Sequence, residues 1–399
     1  MSDRHRRFLF LFALANAGGF VAYVPLLTLV FPAKIDALAG ASRIEWLGAA
    51  TLAGALAASA SNLAFGWASD FIGTRRAWAA IGLVLTLATY ALLYVATAWM
   101  GILLAVIAYQ LALNMMIAPL AAWAADVVPD SDKGLLGGLL AAGPAAGAVA
   151  GVLVTAPAVS TEASQLIFIC LLIAILAGPL IALGAPQRRG PARPAVPMRL
   201  DAYFDFGLLW AARLLVQIAG AALFTFLLYF FQSRPVSASQ FHIAVLSAAT
   251  LLVAFPATLV LGRISDRLGP RKPFLLGTVA TAALGLLIMA WQDQLVWAMI
   301  GYAVFGCATA SFLALHSAFS MQLLPSPARH GRDLGVLNLT NTLPNLIAPV
   351  LAIWLVPGRG FAPLLTLLAV LMMVAGLCIL LVRKDAASAF PASAGAHDG

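Results

Sequence analysis

Charge is scarce in this sequence. Asp, Glu, Lys and Arg together supply 10% of the 399 residues, against 63% that are hydrophobic, and the mean hydropathy is +0.98. A soluble domain of this length must face water, and so little charge excludes it. Cysteine is sparse too: Cys170, Cys307 and Cys378 each lie inside an apolar run. They offer no disulfide framework and no metal-ligand spacing, and read as buried, inert thiols. Catalytic signatures are also missing. No H-E-x-x-H, G-x-S-x-G or P-loop pattern occurs, which argues against a membrane enzyme and against an ATP-driven pump. No cofactor is implied.

What the chain does have is apolar runs of about 20 residues, the length that crosses a bilayer as a helix. They predict spans over about 8–31, 43–66, 76–97, 99–125, 134–156 and 164–185, then 206–231, 240–262, 273–291, 296–321, 334–356 and 361–383. The opening MSDRHRR followed by apolar residues imitates a secretion signal. The run continues to Phe31 without a cleavage site, so it is read as a span. Between the sixth and seventh spans, 186–204 is rich in Pro and Arg and reads as a solvated linker. This divides the chain into 1–185, the linker, 205–384 and a disordered tail, 385–399.

The net charge of +8 follows this layout. Only Lys34, Arg43, Arg234 and Arg359 fall on one side, and Arg213 falls inside a span; every other Lys and Arg lies on the opposite side. By the positive-inside rule that side is cytoplasmic and holds both termini. The basicity reflects topology and calls for no nucleic-acid partner. The expected location is an inner (plasma) membrane of a bacterium, with lipid as surroundings and the chain as a monomer.

A motif repeats within the chain. GWASDFIGTRR at 66–76 returns as GRISDRLGPRK at 262–272. One offset superimposes Gly66 on Gly262, Asp70 on Asp266, Gly73 on Gly269, Arg75 on Arg271 and Pro129 on Pro325. Such a period is too long for a solenoid and suits two duplicated membrane halves. These loops resemble the G-x-x-x-D-(R/K)-x-G-(R/K)-(R/K) signature of the major facilitator superfamily, which lies between the second and third spans of each half. The second copy fits through Gly262, Asp266, Arg267, Gly269, Arg271 and Lys272, apart from Pro270. The first keeps Gly66, Asp70, Gly73, Arg75 and Arg76, but has Phe71 and Thr74 at positions where basic residues are common.

The resemblance implies an all-α polytopic fold of twelve transmembrane helices in two pseudo-symmetric six-helix bundles. It also implies a substrate site between the halves, and a gating role for the loop residues Gly66, Asp70, Gly73, Arg75, Arg76, Gly262, Asp266, Gly269 and Arg271. Asp70 would latch against the start of the eleventh helix, near Leu334. Polar side chains near the middle of the lining helices become the substrate-binding candidates: Asn16, Tyr23, Gln110, Asn114, Gln217, Ser311, Asn341 and Asn345, with Asn338 beside them.

Charge inside a membrane is costly and marks function by default. Arg213 and His316 join the candidates on that ground, each against a plain alternative. Arg213 can snorkel to the headgroups, and His316 can be a structural histidine bonded to a carbonyl. The 15 acidic residues all map to loops, tails or span ends, which leaves Asp36, Glu45, Asp126 or His316 to carry a coupling proton. GGLLAAGPAAGAVAG at 137–151 resembles the fifth-helix signature of proton-drug antiporters through Gly143, Pro144 and Gly147, with Ala148 departing from it. GVLNLTNTLPNLIAP at 335–349 is similar to the matching region of sugar symporters.

The expected function is secondary transport of a small polar solute such as a sugar, by alternating access and coupled to protons or another cation. Drug or metabolite efflux, and organic-anion transport through Arg213, are the alternatives.

Overall fold

In a bilayer no water satisfies an open backbone, so an apolar chain crosses only as a helix or a closed barrel. The computed structural model is helical, and among the described residues there is no strand. Residues 3–72, 75–128, 136, 139–140, 142–184, 202–269, 271–322 and 339–383 are described. The helices are α1 (Asp3–Pro25), α2 (Phe31–Ala39), α3 (Arg43–Ile72), α4 (Arg75–Val95), α5 (Trp99–Val127), α6 (Gly143–Val154) and α7 (Glu162–Leu183). The second half adds α8 (Ala202–Gln232), α9 (Gln240–Leu268), α10 (Lys272–Trp291), α11 (Leu295–Gln322), α12 (Pro344–Leu355) and α13 (Ala362–Leu381).

Among the described residues, nine helical stretches are long and apolar enough to cross a membrane. The first, Arg6–Ser69, runs 64 residues and includes the first two expected spans. Its breaks have local causes. Pro25 has no N–H to give, and the ladder widens into a π turn at Leu26–Val30. Gly40, at φ +52, then turns the chain through Gly40–Ser42 into α3. Shorter apolar helices, Gly143–Val154 and Leu339–Leu355, stand where the fifth and eleventh spans are expected. The rest of those spans, the linker and the tail lie outside the described residues.

The chain forms two compact units. Unit one gathers 1–193, 222–249 and 345–358; unit two gathers 194–221, 250–344 and 359–399. In unit one, α4 packs on α5 and α7, α3 on α5, and α1 on α6 and α7. In unit two, α10 packs on α11 and α13. Small residues set the closest seams, as expected where lipid tails remove the hydrophobic drive between helices. Gly82 of α4 faces the backbone of Met115 and Met116 on α5. Gly285 and Gly301 face each other, so that a Cβ added to either would sit 2.7 Å from the other's carbonyl oxygen. Large apolar side chains remain exposed elsewhere, Leu63, Leu252 and Trp354 among them, as suits helices whose surroundings are apolar.

Gly285→Val should therefore force α10 off α11 and lower stability by about 1–3 kcal/mol, the usual cost of overpacking. Gly178→Ala, whose added Cβ has nothing within 4 Å, should leave the detergent-phase Tm unchanged.

Candidate functional site

Unit one brings several amides together. Gln110 and Asn114 stand one turn apart on α5, so they share a face. Asn114 donates from Nδ2 to the Gln110 carbonyl at 2.9 Å, and its Oδ1 accepts from Nδ2 of Asn62 on α3 at 3.2 Å. Gly54 makes room for this approach, since its Cβ direction points at the Gln110 side chain. Asn62 was not among the sequence candidates, which were sought mainly near the middle of the lining spans. An amide within the small-residue run ASASN was the available signal. Asn16 serves differently: its Nδ2 reaches the Leu140 carbonyl at 3.4 Å, beside the start of α6. Tyr23 joins an aromatic group, 5.3 Å from Phe20 and 6.1 Å from Phe224 between ring centres. Nearby, the hydroxyls of Tyr90 and Tyr109 both donate to the carbonyl of Ala22 on α1.

Unit two holds a second amide pair. Gln217 donates from Nε2 to Asn341 Oδ1 at 2.6 Å. One turn earlier on α8, Arg213 Nη1 donates to Ser317 Oγ at 2.9 Å, while its buried Nε has no hydrogen-bond partner among the described residues. His316 is fully buried. Its Nε2 lies 2.9 Å from the Leu209 carbonyl and its Nδ1 3.2 Å from Ser320 Oγ. A carbonyl only accepts, so Nε2 holds a hydrogen, and this bond ties α11 to α8. Ser311 is buried against Thr258 at 3.0 Å, on α9 rather than beside Gln217. Asn345 is exposed on α12 and belongs to unit one. Asn338 lies outside the described residues.

The signature loops are built from opposed charges and helix ends. Arg75 pairs through Nε with Asp126 Oδ2 and donates from Nη1 to Ser69 Oγ at 3.1 Å. Arg76 donates to the carbonyls of Ile181 and Ala182, which end α7. In the second copy Arg271 pairs with Asp266 at 2.7 Å, Gly269 supplies the left-handed turn at φ +88, and Lys272 donates to the Val382 carbonyl at the end of α13. Arg76 and Lys272 occupy equivalent positions of the repeat, and each caps the last helix of its half. Cations there meet the negative end of the helix dipole. An added Cβ at Gly66 or Gly262 would meet nothing within 4 Å. Gly73, Leu334 and the Asp70 side chain lie outside the described residues, so the expected latch does too.

At the far end of α3, 30 residues away along the helix, unit one carries another charged group. Lys34 Nζ binds Glu162 Oε1 at 2.7 Å and the Tyr94 carbonyl at 2.8 Å. Its side chain is only 7% exposed. Arg43 pairs with Asp36 at 2.6 Å and lies 5.0 Å above the ring of Tyr229, on α8. The Tyr229 hydroxyl donates to the Pro32 carbonyl at 2.8 Å. Ala244 near Gly151, and Ile353 near Gly48, complete this packing.

Glu162→Gln leaves the Lys34 ammonium buried without its counter-charge and should cost about 1.5–3 kcal/mol in unfolding experiments. Lys34→Met combined with Glu162→Leu should recover part of that loss, because no buried charge remains.

Residues 209–397 match the family model described as Major Facilitator Superfamily. No curated protein matches the sequence. Among solved structures, a bacterial homolog of the human lysosomal transporter Spinster is similar at 14% identity, covering 96% of this chain and 95% of that one with a TM-score of 0.65. A mutant of the nucleoside transporter NupG aligns at 15% identity over 94% and 100%, with a TM-score of 0.72. The human organic anion transporter MFSD10 aligns at 15% identity over 95% and 100%, with a TM-score of 0.63. At such identities the likeness is one of fold, and it extends over nearly the whole chain. The sequence match over 209–397 and the likeness of fold over nearly the whole chain agree in pointing to the Major Facilitator Superfamily of membrane transporters.

Proposed function

We propose that the protein is a secondary transporter for a small, neutral, hydroxylated solute, moved by alternating access between the halves 1–185 and 205–384. The carrying observation is the pair of amide groups, Asn62–Asn114 at 3.2 Å and Gln217–Asn341 at 2.6 Å. A carboxamide both donates and accepts, so it can exchange its amide partner for a solute hydroxyl without stranding a buried polar group. A sugar fits this chemistry. So does a nucleoside, the solute named for one structural neighbour, which could also lie against Phe20, Tyr23 and Phe224.

Arg213 favours a second reading. Its unpartnered Nε suits a carboxylate or other organic anion, the cargo named for another neighbour. For coupling, Asp36 and Asp126 already hold arginines. Glu45, by contrast, keeps a buried Oε2 with no partner among the described residues and is the better proton carrier. His316, fixed on both nitrogens, is the poorer one. The membrane is a bacterial inner membrane with both termini in the cytoplasm, as the distribution of Lys and Arg supports. The group around Tyr229 then closes the outer end.

A thermal-shift screen of purified protein against sugars, nucleosides and organic anions tests the substrate. A ligand at 100 times its Kd adds about 2.7 kcal/mol. Sugars or nucleosides should raise Tm, and Asn114→Ala or Gln217→Ala should remove the effect while Arg213→Gln retains it. A shift by organic anions alone, abolished by Arg213→Gln, would replace this reading with the second. For the closed end, Tyr229→Phe removes the bond to Pro32. It should raise maleimide labelling of a Thr28→Cys reporter about fivefold, as the loss of roughly 1 kcal/mol implies. Unchanged labelling would show that the end is held by packing alone.

A further inference from the structure

A groove of about 560 Å³ runs along the first turns of α10 in unit two. Leu261 of α9, Phe274 and Gly277 of α10, and Val304, Cys307 and Ser311 of α11 line it. Its hydroxyls are already engaged: Ser311 with Thr258, Thr278 with the Leu275 carbonyl and Thr281 with the Gly277 carbonyl. The groove therefore offers little to a polar solute and much to a hydrocarbon chain. Pro273, Gly277 and Thr281 are exposed along its rim, and the flanking faces carry exposed Ile264, Leu284 and Ile300.

Charge collects at one end. The lining starts at Pro273, directly after Arg271 and Lys272, while Arg263 and Arg267 are exposed on the last turns of α9. Asp266 pairs with Nη2 of Arg271 at 2.7 Å, which leaves Arg263 and Arg267 as the exposed cations of the group. Arg271 makes no side-chain cap to α10, so the first backbone N–H groups of α10 add to the same positive end.

We propose that this groove binds an anionic glycerophospholipid from the leaflet facing the signature loops. One acyl chain lies along α10, and the phosphate sits among Arg263, Arg267, Arg271 and Lys272. Basic pockets at the ends of transmembrane helices select such headgroups. A zwitterionic lipid offers the same chains without the net charge. The site is independent of which solute the protein carries.

The test uses full-length protein stripped of lipid in a neutral detergent, with Cys170 and Cys378 replaced by alanine so that Cys307 reports from within the groove. Phosphatidylglycerol should raise Tm and slow alkylation of Cys307 by N-ethylmaleimide several-fold. Phosphatidylcholine with the same chains should do neither. Gly277→Leu directs a side chain into the groove, and its Cβ meets nothing within 4 Å. It should keep the lipid-free Tm and lose both effects. Arg267→Gln should weaken the phosphatidylglycerol response roughly fivefold, the worth of one cation near a charged membrane surface. Equal protection by phosphatidylcholine overturns the headgroup selection. An undiminished response in Gly277→Leu overturns the site.

Discussion

Every polar group that enters the hydrocarbon layer must bring or find its own partner, and the rest of this structure follows from that constraint. The backbone meets it by staying helical. Side-chain hydroxyls meet it by bonding back to their own helix, as Thr28, Thr51, Ser59, Thr86 and Ser247 do with the carbonyl four residues earlier. Other polar side chains reach between helices, among them Asn62 to Asn114, Gln217 to Asn341, Arg213 to Ser317, His316 to Leu209 and Ser311 to Thr258.

The duplicated loops show how one short motif can do the same mechanical work twice. Arg76 and Lys272 both close the end of the last helix in their half, which ties the loop to the bundle it belongs to. Arg75 reaches Asp126 on α5 and so braces the first loop to a second helix, and Arg271 holds Asp266 within the second loop.

Much of this was legible in the sequence, because apolar run length, charge asymmetry and a repeated motif are all local or periodic. The seventh span, expected at 206–231, is found as Ala202–Gln232, and the repeat offset that aligns Gly66 with Gly262 also sets Arg76 against Lys272. Other features depend on which helix faces which, and composition does not carry that. Asn62 looked like one polar residue in a run of small ones until α3 met α5. Ser311 lay on a lining helix, yet it turns to Thr258 and a groove. Lys34 reads only as one of the four cations on the less basic side, because its partners, Glu162 and the Tyr94 carbonyl, lie far away in sequence. His316 reads in the sequence either as a proton carrier or as a structural histidine, and its contact with the Leu209 carbonyl is one that the sequence does not show.

The π turn at Leu26–Val30 has a mechanical consequence. Just before it, two phenol hydroxyls from α4 and α5 fasten the Ala22 carbonyl. Just after it, Pro32 accepts from Tyr229 and Lys34 is anchored to Glu162. With both flanks clamped, bending of this stretch concentrates in the few residues between, where the hydrogen-bond ladder is already loosened. Leu26–Val30 is thus a loosened span of the ladder held between two fixed points.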